Sequence, residues 1–379
     1  MATITKRLGD LIREVDARNR DDALCAKDLR GISVTKQFIT THANLVGVSF
    51  SNYKIVKPNQ FAYIPDTSRR GDKIAISINK TDKDIIVSTI CTVFEIVNAD
   101  QLLPQYLMLW FERPEFDRFA RFKSHGSARE VFSWEDISNV KIPVPDIEIQ
   151  KTIIKQHLIA EKRIDILQRI NSKLEDLAYS YYRRLVDKEP EQSLSISCDT
   201  ILGGTPSRDK SEYWGGNIGW INSGEINNFR VMKASEYITE LALKKSATKI
   251  MPSGTTVLAI TGATLGQYSR LCGDYCANQS VIGILPKNSS NISNEFIYLS
   301  VRKNLKNLLS GQTGGAQPHI NSNDVKNLQI PVSTPEIEKE IQHIILPLFN
   351  LIELNCREIV ALKSLNNLSS LQTNYRGKE

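Results

Sequence analysis

The chain has 379 residues, of which 41% are hydrophobic and 24% charged, with a formal net charge of +6. That length builds two or three domains with cores of their own. No run of about 18 apolar residues is present to span a membrane, and no apolar signal core follows Met1. A cytoplasmic location is expected. The mild positive balance permits a nucleic-acid-binding patch without requiring one. Six scattered cysteines, Cys25, Cys91, Cys198, Cys272, Cys276 and Cys356, fit reduced thiols better than a disulfide framework. Cys272 and Cys276 are four apart but lack a second Cys or His pair, so no metal site is expected.

In chain order, Leu8, Leu11, Ile12 and Val15 have helical spacing, which predicts a short opening helix. The runs Lys73–Asn79 and Asp84–Phe94 read as strands, the first by its apolar–polar alternation. Gln105–Phe122 reads as a helix broken or restarted at Pro114. From Glu148 to Leu185 no Gly or Pro interrupts a pattern in which Ile153, Ala160, Leu167, Leu174 and Tyr181 recur every seven residues. At about 1.5 Å per residue such a helix is roughly 57 Å long, and its apolar stripe needs a partner. A polar, Pro-containing linker, residues 187–192, follows. The next segment is rich in Gly, Asn and Ser turns between short strands such as Thr256–Ile260 and Ser280–Leu285, which suggests an irregular mixed sheet. A second long helical pattern runs from about 335 to 371, marked by Ile341, Ile345, Leu348, Ile352, Ile359 and Leu362. Pro347 should kink it or offset its start.

The most informative feature is a repeat. Asp136–Ile153 and Asp324–Ile341 align over 18 positions without a gap, nine of them identical, 188 residues apart. Each copy contains Ile-Pro-Val and is followed by a long helix. Solenoid units are only about 20–50 residues long, so this period means duplicated domains. The expected fold is α+β: two globular mixed α/β domains and two long helices that form an antiparallel coiled-coil pair about a pseudo-twofold. The boundaries are 1–146 and 188–332 for the globular domains, with helices in 147–187 and 333–379.

Catalytic signatures are missing. There is no phosphate loop, no Gly-x-Ser-x-Gly elbow, no His-Glu-x-x-His and no Asn-Pro-Pro-aromatic passage. Pro145-Asp146-x-Glu148 lacks the spaced Glu-x-Lys of a nuclease and sits where acids favour a helix dipole. What remains suits binding. In the first half, Arg69, Arg70 and Lys73 form a basic turn, and Arg121, Lys123, His125 and Arg129 cluster near a loop. The second half offers Arg208, Tyr213, Asn217, Asn222 and Ser223, then Thr261, Thr264 and Gln267, then Gln312 and Gln317. Such side chains on short loops can contact phosphates and read base edges, although ordinary surface loops have the same composition. Trp214 and Trp220 are expected to pack rather than stack on bases. Apolar positions on the long helices, Ile153, Leu167, Leu174, Ile341, Leu348, Ile352 and Ile359, are the candidate partner-binding residues.

Two variable globular segments, each closed by Ile-Pro-Val and a long helix, resemble the DNA-specificity subunit of type I restriction–modification systems. Leu202-Gly-Gly-Thr-Pro-Ser207, Trp214-Gly-Gly-Asn-Ile-Gly-Trp-Ile221, Thr261-Gly-Ala-Thr-Leu-Gly266 and Asn278-Gln-Ser280 are similar to the framework of that family's target-recognition domains. The opening Leu8–Asn19 also resembles such a domain. The first half lacks the Gly-Gly-Thr-Pro passage, and Ile147–Gln150 and Pro335–Glu338 only approximate the usual helix start. The resemblance implies a non-catalytic subunit that binds double-stranded DNA, each recognition domain reading half of a split, asymmetric site in the major groove. It implies that the long helices hold the domains apart and recruit methyltransferase subunits, expected to be two, joined by restriction subunits that translocate DNA; the helical pair is then expected to act as a ruler. The chain itself would hold no cofactor, and its partners would use S-adenosylmethionine, ATP and Mg. A related system with a fused methyltransferase-nuclease partner is the alternative. A duplicated protein- or carbohydrate-binding scaffold, predicted to be insensitive to salt and DNA, is a third reading.

Overall fold

A computed structural model describes residues 4–41, 47–67, 73–124, 130–227, 229–310 and 319–372. The chain divides into two compact units, Met1–Lys162 with Leu362–Glu379, and Arg163–Ala361.

In the first unit a sheet in the strand order Ile12–Val15, Thr92–Ile96, Phe61–Tyr63, Ile76–Ile78 packs its apolar face against the helices Pro104–Phe111 and Pro114–Ser124. Aromatic rings fill the interface. Phe61 stacks on Phe94 at 4.9 Å, and Phe111 meets Phe116 at 4.8 Å. The helical run breaks at Pro114, as its sequence requires. The expected opening helix is instead a single 3-10 turn, Leu8–Asp10, followed by the strand Ile12–Val15. Helical spacing misled here because the sheet edge beside Thr92–Ile96 captures the segment, with Ile12 opposite Ile96. The run Asp84–Phe94 is also two strands, Ile85–Val87 and Thr92–Ile96, separated by a turn.

The second unit has a four-stranded antiparallel sheet in the order Cys198–Leu202, Val281–Pro286, Thr256–Ala259, Tyr268–Arg270. A three-stranded sheet, Glu236–Ile238, Trp214–Ile221 and Tyr275–Ala277, contains one parallel pairing. The helix Asn294–Ser310 joins a core shared with both long helices, from Ala178 and Tyr182 to Ile341, Ile345 and Phe349.

The repeated passage has the same local role twice. Asp136 is the third helical residue of a capping box on Ser133, and Asp324 does the same on Asn321. Each such box ties down the N-terminal N–H groups of a short helix. The chain then turns into the Ile-Pro-Val strand. Lys141–Val144 pairs antiparallel with Ile4–Arg7, and Gln329–Pro331 pairs antiparallel with Glu191–Ser193. Each globular segment is therefore closed by pairing its first strand with its last.

The first long helix spans Ile147–Leu185 without interruption. The second is built from Pro335–Glu340, a π-turn at Ile341–Ile345 and Leu346–Gln372. Pro347 has no N–H for the carbonyl one turn back, and its ring would clash there. A widened turn ahead of it relieves both conflicts while the helix continues. Within the second unit Tyr181 donates to Glu340, Asn171 meets Asn355, and Arg163 forks onto Glu358 at 2.7 and 3.0 Å. Partner numbers rise as the first helix is read backwards, so the pair is antiparallel. No helix among the described residues is long and apolar enough to cross a membrane.

Candidate nucleic-acid interface

Three passages far apart in sequence meet at one end of the four-stranded sheet in the second unit. The last residue of strand Cys198–Leu202 lies opposite Ile282, and Ala259 lies opposite Val281. The loops leaving these strands therefore emerge together. Gly203 and Gly204 donate to the carbonyls of Val281 and Ala277 at 2.9 and 2.8 Å. Thr205 donates through its hydroxyl to Gln279 Oε1, and Thr261 donates to Ser280 Oγ at 2.7 Å. Asn278 ties the same turn to the carbonyl of Ile221, just before Asn222 and Ser223.

Glycines permit this convergence. A Cβ on Gly203 would stand 2.1 Å from the Asn278 carbonyl oxygen, and one on Gly216 2.3 Å from that of Ile238. The Trp-Gly-Gly-Asn passage is a β-bulge, since Trp214 and Ile218 both face Ile238. Gly215 supplies the positive φ of 80°, and the bulge leaves Asn217 exposed. Bulges of this kind re-aim side chains next to functional surfaces.

The rim is thus made of hydroxyls and amides. Asn222 and Ser223 are half-buried, as are Thr261 and Thr264, while Asn217 and Gln279 are exposed. Asn222 Oδ1 accepts from Gly224 N at 2.8 Å, and Thr264 Oγ1 points to the Thr261 carbonyl at 3.4 Å. Gln267 is half-buried, and its Oε1 has no hydrogen-bond partner. Such groups can donate to and accept from base edges. Fixed positive charge is scarce here. Arg208 lies 3.7 Å above the Trp214 ring and is forked onto Glu236, which holds the Glu236 carboxyl below its usual range. Tyr213 is a correction. It is buried among Trp220, Ile238 and Ala242 and fills a core rather than presenting a ring. Trp220 is buried as expected, its indole N–H donating to the Gly204 carbonyl at 3.1 Å.

In the first unit Lys73 is exposed at the start of its strand region. Arg121 is paired with Glu130 at 2.7 Å. Lys123 is exposed at the edge of a cavity of about 570 Å³ whose walls include Trp110, Arg113, Phe119, Asn139 and Lys141. Arg69, Arg70, His125, Arg129, Gln312 and Gln317 lie outside the described residues. Two further rim residues, Thr205 and Gln279, lie within motifs whose sequence marks them only as framework. Thr205 follows directly on Gly203-Gly204, which was an available signal, whereas Gln279 has no glycine beside it.

The helix candidates also need correction. Leu167, Ile341, Ile352 and Ile359 are buried. Leu348 packs on the core of the second unit and Ile153 on that of the first, while Leu174 is half-buried. The heptad stripe is largely consumed within the fold, because helix pairing and domain packing bury it first. Exposed apolar side chains lie elsewhere on the helices, at Ile166, Ile170 and Leu177 and at Leu351 and Leu354. Burial pushes the Cys272 thiol up to about 12. No group of three His, Cys, Asp or Glu among the described residues could hold a metal.

The profile of the type I restriction modification DNA specificity domain matches this chain twice, over residues 25–176 and 198–364. The chain belongs to that family. The family is that of the DNA specificity domain of type I restriction–modification systems. Among relatives of this specificity family, the MjaIX specificity subunit of Methanocaldococcus jannaschii is 30% identical over 155 residues, which are 40% of this chain and 35% of the relative. The EcoR124I/EcoR124II specificity subunit of Escherichia coli is 27% identical over 228 residues, 55% of each chain. The matches thus span only a third to about half of these relatives' lengths. The crystal structure of a type I S subunit from M. genitalium aligns over 98% of this chain and 99% of its own, with 12% identity and a TM-score of 0.49.

Proposed function

We propose that this chain is the sequence-reading subunit of a type I restriction–modification complex and that its DNA site is bipartite and asymmetric. The observation that carries this is the double match of the family profile, once per half, on two segments that differ in sequence. Each globular segment reads one half-site. In the second, the convergent rim of Asn217, Asn222, Ser223, Thr261 and Gln279 supplies base-edge contacts. In the first, Lys73 and Lys123 supply phosphate contacts.

The helices recruit the methyltransferase subunits, and the docking surface is the exposed set Ile166, Ile170, Leu177, Leu351 and Leu354 rather than the buried stripe. Adenine methylation would then use the partners' S-adenosylmethionine, and restriction subunits would add ATP-driven translocation. The test is to co-express the chain with the methyltransferase subunit encoded beside it and map modified adenines by long-read sequencing. A split, asymmetric motif that vanishes on deletion of this chain supports the proposal. A stable complex with no chain-dependent motif counts against it.

A further inference from the structure

Arg230 is a charge sealed inside the second unit. It is 3% exposed, and its Nε and Nη2 have no hydrogen-bond partner. Nη1 donates to the Phe229 carbonyl at 2.8 Å and to the Tyr298 hydroxyl at 3.2 Å. Three rings surround the guanidinium, with centroids at 4.9 Å for Phe229, 4.8 Å for Tyr298 and 5.0 Å for Phe349. Tyr298 in turn donates to Glu175, which is itself buried. Arg302 holds Glu175 from the other side, through its carbonyl at 3.1 Å and its carboxylate at 3.9 Å.

The elements these residues come from give the cluster its meaning. Glu175 belongs to the first long helix and Phe349 to the second, while Tyr298 lies on Asn294–Ser310. Arg230 itself follows the 3-10 turn Ser223–Asn227 of the polar rim. The adjacent Val231 is stitched into the sheet, donating to the Arg270 carbonyl at 3.0 Å. Arg230 therefore links the rim loop to the second long helix directly and to the first through Tyr298.

Burying a charge with two unpaired donors costs stability, and an apolar residue of similar volume would pack there at lower cost. What such a charge provides is a steep well: any slip of the rim segment on the helices separates the cation from the Tyr298 and Phe349 rings and from the Tyr298 hydroxyl, while Phe229 moves with it. Buried polar groups set register in helix pairs by the same penalty.

We infer that Arg230 is a positioning residue that fixes the seating of the second recognition segment on the helix pair, and so the single spacer length the complex accepts. This rests on the functional reading above. Arg230→Met keeps the volume and removes the charge. Arg230→Lys keeps a cation among the rings.

The experiment co-expresses each variant with the methyltransferase subunit. It scores methylation of plasmids carrying the two half-sites at the native spacer and at spacers one base pair longer or shorter. Arg230→Met should keep or raise the thermal midpoint while its methylation at the altered spacers, relative to the native one, rises at least about tenfold. Arg230→Lys should restore the native preference. A folded Arg230→Met with the wild-type spacer preference overturns the inference. If Arg230→Met does not fold, Tyr298→Phe, which removes the shared hydroxyl, is scored by the same ratio. Failure of both to fold makes the network a mere support of the core and also overturns it. A wild-type complex without any chain-dependent motif sinks the functional reading and this inference with it. A normal wild-type motif with unchanged variants sinks only the inference.

Discussion

Asn355 donates its side-chain amide to Asn171 Oδ1 at 2.7 Å across the seam of the two long helices, and both residues are buried. Asn171 in turn reaches Cys356 Sγ at 3.5 Å. Among the mostly apolar buried positions of the two helices, this pair selects one alignment of the antiparallel helices. Asn171→Leu alone strands the Asn355 amide, and about 1–3 kcal/mol of stability should be lost. The double Leu variant should regain most of it while relaxing the alignment. Urea unfolding of the wild type, each single variant and the double variant measures both effects. A double variant no more stable than the singles would contradict this account.

The glycine motifs should behave as framework. Gly203→Ala and Gly216→Ala each drive a Cβ into a backbone carbonyl, which no side-chain movement can relieve. Overpacking of this kind costs about 1–3 kcal/mol or more. Both variants should lower the unfolding midpoint clearly. Gly47→Ala is the comparison for strain without a clash, since its φ is +76° and, among the described residues and apart from its chain neighbours, nothing lies within 4 Å of the added carbon.

The rim residues should do the reverse. Gln279→Ala and Asn217→Ala remove exposed amides, so the unfolding midpoint should stay within error. If they read base edges, each should weaken binding to the cognate half-site by about 1–3 kcal/mol. Lys73→Ala should instead weaken binding to all sequences and lower the salt slope by about one. Fluorescence anisotropy of the assembled complex on cognate and scrambled duplexes separates the two patterns.

Helix surface and helix seam should also part company. Ile166→Glu with Leu177→Glu alters side chains that are 49% and 57% exposed. The chain should fold normally and no longer co-purify with its methyltransferase partner. Ile341→Glu or Ile352→Glu places a charge where exposure is 0%, and the chain itself should fail to fold. Retention of the partner by the folded double variant would move the docking surface elsewhere.

The ruler expectation has a direct check. Inserting four residues in both long helices adds about 6 Å to each, or roughly two base pairs of duplex at 3.4 Å each. Methylation mapping should show an unread spacer longer by that amount and the same half-site bases. An unchanged spacer would exclude the helices as rulers.

Much of the organisation was legible in the residues themselves. The duplicated passage, the uninterrupted heptads of Ile147–Leu185 and the break at Pro114 are set by local rules. Helical period, capping and proline geometry act within a few residues and leave their mark in the order of the chain. The opening segment Leu8–Val15 was not legible, because its spacing suits a helix and only the neighbouring strand Thr92–Ile96 makes it a strand. Nor could the fate of the heptad stripe be read. Periodicity marks an apolar face, but whether Ile352 meets the other helix, a domain core or a partner protein depends on what the fold brings to it. The gathering of Thr205, Thr261 and Gln279 into one rim, and the sealing of Arg230 among three rings, are likewise tertiary facts. They depend on contacts between residues tens to more than a hundred positions apart, whose distances no local pattern encodes.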